Sequence, residues 1–175
     1  MTAAEAQARY TLGRLPIEDV AAFATAMLSK GHDGRALSEL AYSHDSWRDV
    51  EGLFEQALRE LGRPFMDRDT AGWILARAMA QAIVDGRIAP LEGASRIYWE
   101  WSDHFEDRPA GIREFYMLAQ NIEDAWNPGA ALIAEMEAEA RELAERMLER
   151  GPGAESDLEP TISRGDGPTG LEPTL

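Results

Sequence analysis

Apolar residues recur at helical spacing in one segment after another from Ile17 to Met147, and no stretch alternates apolar with polar as a half-buried strand must. An all-α fold, a helical bundle of about six to seven helices, is what such a pattern permits. Residues 17–29 place Ile17, Val20, Ala21, Ala24, Met27 and Leu28 on one face, with Pro16 near the helix start and Gly31 past its end. A two-turn piece follows over 36–42. With Asp45 or Ser46 as N-cap, Trp47, Val50, Phe54, Ala57, Leu58 and Leu61 form a stripe that stops at Gly62 and Pro64. Residues 70–84 are apolar around most of their circumference, with Thr70, Arg77 and Gln81 as the polar breaks, which predicts a helix at the centre of the bundle. Asp85-Gly86 and Pro90 predict a tight antiparallel hairpin into a helix over 91–105. Ile112, Phe115, Tyr116, Ala119, Ile122 and Trp126 define another helix over 109–126, and Asn127-Pro128 start the last, which runs to Arg150. That last helix has a narrow stripe of Leu132, Met136, Ala140, Leu143 and Met147, with Glu137–Arg141 and Glu142–Arg146 spaced as i,i+4 pairs. It reads as an outer helix with a solvated charged face.

At Gly151 the composition shifts to breakers and few apolar residues. Residues 1–150 read as one acidic helical-bundle domain, and residues 151–175 as a disordered tail that burial cannot order. The tail repeats Leu-Glu-Pro-Thr at 158–161 and 171–174. The chain carries a formal net charge of −15, of which five acids against Arg164 put −4 on the tail and leave −11 on the domain. Such a surface repels phosphate backbones and anionic lipid heads and attracts basic partners, so neither nucleic acid nor membrane is an expected partner. The N-terminal residues show no secretory pattern, and no segment of about 18 uncharged apolar residues occurs, so the reading is cytoplasmic.

With no cysteine, disulfides, thiolate metal sites and cysteine nucleophiles are excluded. No phosphate loop, Gly-x-Ser-x-Gly elbow or His-Glu-x-x-His pattern is present, and no cofactor is expected. The three histidines each adjoin an aspartate, as His32-Asp33, His44-Asp45 and Asp103-His104. A metal-assisted hydrolase would need these to converge on one ion, whereas the first two pairs sit in turn-like contexts and read as loop and cap residues. Glu100 and His104 are spaced by four and occur once, unlike the paired Glu-x-x-His of dimetal bundles.

The sharpest local feature lies in the helix over 91–105. Ala94, Ile97, Tyr98, Trp101 and Phe105 share one face, while Trp99 lies about 160° round from Trp101 on the polar side. There Glu92, Arg96, Asp103 and Glu106 surround it. A tryptophan among charges is either covered by another helix or offered to a partner, and interface anchors favour Trp and Arg.

The hairpin from Ala80 through Asp85-Gly86-Arg87-Ile88-Ala89-Pro90 to Trp99, preceded by Ala57-Leu58-Arg59-Glu60-Leu61-Gly62, resembles small uncharacterised bacterial all-helical proteins over residues 57–99. The resemblance implies a bacterial origin and the hairpin shape, and carries over no catalytic residue. The expectation is therefore a non-catalytic acidic binding protein, of which an inhibitor or immunity-type partner of a basic effector such as a nuclease is one form. A metal-assisted hydrolase and a structural component of a bacterial or phage particle are the alternatives.

Overall fold

The computed structural model describes residues 1–42, 46–63, 65–101, 110–125 and 128–150. Among them are eight helices and no strand: α1 (Ala3–Thr11), α2 (Glu18–Ser29), α3 (Arg35–Leu40), α4 (Trp47–Glu60), α5 (Arg68–Val84), α6 (Pro90–Trp101), α7 (Ala110–Asp124) and α8 (Ala130–Glu149). The helical bundle read from periodicity is what the chain forms, with one helix more. Residues 102–109, 126–127 and the tail 151–175 lie outside the described residues, and with them the expected extension of α6 to 105 and the character of the tail.

The additional helix, α1, is alanine-rich and lacks an apolar stripe of large residues. Its signal is a capping box: the Glu5 amide donates to Thr2 Oγ1 at 3.2 Å and the Thr2 amide donates to Glu5 Oε2 at 2.6 Å. Nine residues make a marginal helix in water. Packing secures it, because α1 lies between two apolar cores and contributes to both. Ala6 joins the core built by α2, α3 and α4 around Phe23, Leu37 and Phe54. Ala8 and Leu12 join the core of α5 to α8, around Ile83, Ile97, Phe115 and Met147. As the periodicity predicts, α5 is central to this second core and packs against α1, α6 and α8.

Four helices stop on a glycine in the left-handed region: Gly13, Gly31, Gly62 and Gly86, with φ from 67° to 87°. At Gly62 its amide donates to the Arg59 carbonyl at 2.9 Å and the next amide, of Arg63, to the Leu58 carbonyl at 2.8 Å. These are the two bonds of a Schellman cap, where any residue with a Cβ costs about 1–2 kcal/mol. The α5–α6 hairpin has a second requirement for glycine. A Cβ on Gly93 would sit 2.4 Å from Ile83 Cγ1, so α6 crosses α5 closely because that side chain is missing.

Two helix starts differ from the sequence reading. Ser46 occupies the N-cap position of α4 but its side chain makes no capping bond, and Asp45 lies outside the described residues. Helix α5 begins at Arg68 and not at Thr70, because Asp67 is the N-cap: its carboxylate accepts from the Thr70 amide at 2.7 Å and the Thr70 hydroxyl at 2.8 Å. The same two bonds, the amide first, hold the Asp67 carboxyl below the usual carboxylate range. In α8, Arg146 reaches across to Glu114 of α7 at 3.6 Å instead of pairing with Glu142. Met136, Ala140, Leu143 and Met147 are buried as expected, whereas Leu132 is exposed. The C-terminal end of α8 is fastened by Arg77 of α5, whose guanidinium donates to the carbonyls of Met147 and Leu148, both at 2.8 Å, and of Arg150.

Candidate functional site

The half of the molecule built by α5 to α8 carries the sequence-predicted site. Ala94, Ile97 and Tyr98 are buried on one face of α6, and Trp99, on the other, is 55% exposed. Its ring meets Tyr98 edge-on at 4.7 Å between centroids, and Tyr98 in turn packs on Tyr116 of α7 at 4.6 Å with the rings tilted by 38°. Arg96 bonds Glu92 one turn earlier, at 2.7 Å, so Glu92, Arg96 and Trp99 line one face of α6 with the cation engaged by the carboxylate. Asp103 and Glu106, the other two residues expected there, lie outside the described residues.

One neighbour of this helix is rich in carboxylates. Its neighbour α8 exposes Glu135, Glu139, Glu142, Glu145 and Glu149. Where α7 ends and α8 begins, a hollow of about 390 Å³ has Leu118, Leu132 and Met136 on its walls and Asp124, Glu135 and Glu139 around them. An apolar wall ringed by carboxylates suits the aliphatic stem and charged tip of a lysine or arginine.

A second concavity, which the sequence reading missed, lies between α1, α4 and the chain leading into α5. It is a groove of about 950 Å³ with Leu12, Leu15, Leu58 and Met66 at its base. At one end Tyr10 packs against Trp47 at 5.6 Å and Phe54 at 4.9 Å, and its hydroxyl lies 3.2 Å from Glu55 and 3.4 Å from Glu51. One phenolic proton serves two carboxylates. At the other end are Arg59, Arg63 and Arg68, with Phe65 at the lip and 92% exposed. The α4 half was legible, since Trp47, Glu51, Glu55 and Arg59 follow one another at four-residue spacing. The other half comes from α1, which the apolar pattern did not reveal.

Burial, then the charges of Glu55 and Glu51, push the Tyr10 phenol up to about 12 from its ordinary 10.0. The folded value lies above the unfolded one, so the stability contributed by the neutral phenol is complete below the free value and is lost as pH rises through the folded one. The component of an ultraviolet titration that Tyr10→Phe removes is expected to lie well above the ordinary phenol value, near 12. A Tyr10 component at the ordinary value contradicts the arrangement.

Among the described residues no group of three or more His, Cys, Asp or Glu is placed to hold a metal. Of the three His-Asp pairs only His32-Asp33 falls within them, and His44-Asp45 and Asp103-His104 do not. No helix among the described residues is long and apolar enough to cross a membrane. No protein-family model, curated protein or solved structure matches the chain.

Proposed function

We propose that this chain is a non-catalytic binding protein that covers a basic surface of another protein, such as the cationic groove of a nuclease. The observation that carries the reading is Trp99: a half-exposed indole fixed by Tyr98 and Tyr116 on a helix, in the acidic half of the molecule. An anchor already held in place loses little side-chain entropy on docking, which is the property of residues that dominate interface energetics. The exposed glutamates of α8 supply long-range attraction for a cationic partner and compete with its phosphate ligand. The hollow beside Leu132 offers a place for a basic side chain of that partner.

Calorimetric titration against a small folded nuclease with a cationic substrate groove tests the proposal. Binding should weaken as salt rises, and Trp99→Ala should lower affinity about thirtyfold or more, the size of a hot-spot truncation. Glu142→Lys combined with Glu145→Lys should act mainly on the association rate. Binding that ignores both sets of substitutions, or turnover of the nuclease's own substrate by this chain, would overturn it.

A further inference from the structure

The groove between α1 and α4 shares no lining residue with α6, α7 or α8 and is independent of the Trp99 face. Its charges follow a simple order. Glu51, Glu55 and Arg59 occupy successive turns of one face of α4, and Arg63 continues the line just beyond the helix end. Acid therefore sits at one end and base at the other, about 12 Å apart at 1.5 Å per residue. Two glutamates against three arginines leave the lining at +1 on a chain whose total is −15. Over most of its surface such a chain repels its own copies. In the groove that repulsion is cancelled.

A line of charge that runs from acid to base is complementary to itself when a second copy lies antiparallel, the arrangement that a two-fold axis perpendicular to α4 generates. We infer that this groove is the interface of a symmetric dimer, with α4 of one copy antiparallel to α4 of the other and Phe65 of each seated in its partner's groove. Glu51 and Glu55 of each copy then face Arg59 and Arg63 of the other. Within one copy Arg59 meets Glu55 only at 3.5 Å, in an exposed i,i+4 pair, and one Tyr10 proton is shared between the two carboxylates, so both glutamates keep acceptors for the guanidinium donors of the other copy. Phe65 loses an exposure of 92%, which for a phenylalanine on a monomer's surface has no other compensation among the described residues. The occupant is a second copy because the groove presents both signs at matched positions, whereas a purely basic partner would meet the arginine end.

Sedimentation velocity on the full chain across a concentration series is the test. The wild type should associate to a dimer, and Phe65→Asp should weaken association about thirtyfold or more. Two charge reversals give a stricter arm. Glu51→Arg with Glu55→Arg makes the line wholly basic, and Arg59→Glu with Arg63→Glu makes it wholly acidic, so each variant alone should be monomeric. Mixed, they should form a heterodimer tighter than the wild-type dimer. Trp99→Ala should leave all of these results unchanged, which separates this interface from the proposed partner face. A wild type that stays monomeric up to its solubility limit, or reversal variants that fail to pair while their circular dichroism and melting match the wild type, would overturn the inference. So would a dimer that survives Phe65→Asp and both reversals.

Discussion

Phe54→Ala is expected to destabilise the protein by about 3–5 kcal/mol, the usual loss for emptying a phenylalanine site in a close-packed core. Phe54 is fully buried and its ring touches three others: Tyr10 at 4.9 Å, Phe23 at 5.6 Å and Trp47 edge-on at 5.9 Å. These come from α1, α2 and the start of α4, so one ring joins three helices that are distant in sequence. Its removal takes away buried apolar area and the aromatic contacts that fix Tyr10 and Trp47. The surroundings have little means of collapse, because Val50, Ala57 and Leu40 are already fully buried. Urea unfolding followed by far-ultraviolet circular dichroism measures the loss, and the near-ultraviolet tryptophan and tyrosine bands should weaken with it. Phe54→Leu should recover more than half. A loss below about 1 kcal/mol would show that the first core is not assembled around this ring.

Arg77→Ala is expected to cost about 2–3 kcal/mol, in the range of hydrogen bonds made by charged donors. The last carbonyls of any helix lack intrahelical partners, and the negative end of the helix dipole lies there. In this chain a guanidinium from the central helix answers both needs by donating to the carbonyls of Met147, Leu148 and Arg150. Lysine cannot reproduce a planar fork aimed at several carbonyls, so Arg77→Lys should restore only part of the loss. Amide hydrogen exchange separates this effect from general destabilisation: the last turn of α8 should lose protection before α5 does. Equal protection in the variant and the wild type would mean that α8 holds its end without Arg77.

The sequence revealed most where a large apolar stripe and a terminal glycine agreed. The spacing of Val50, Phe54, Ala57 and Leu58 with Gly62 behind them located α4, and Gly86 with Pro90 located the hairpin, because those signals are local. It missed α1, whose buried positions are alanines and Gln7, too small or too polar to register as a stripe. The apolar pattern starts α5 at Thr70, two residues late, because the cap at Asp67 works through Thr70 and leaves no apolar mark on the first turn. For the candidate site, the place of Trp99 on the polar side followed from its angle on α6, while its exposure and the contact of Tyr98 with Tyr116 depended on how the other helices pack and had no local signature. Arg77 shows the same limit. On a helical wheel it is a cation in the middle of an apolar helix, and only the tertiary arrangement places it over the end of a helix seventy residues later.

Helix α1 wedges into both apolar regions, so α2–α4 and α5–α8 can each gather from near neighbours in the chain while the seam between them waits for the N-terminus. Contacts between α1 and α5 span some sixty residues, and closing so long a loop is slow compared with forming local helix pairs. The seam that α1 closes is thus expected to form after each half has gathered, and weakening the seat of α1 is expected to split one melting transition into two.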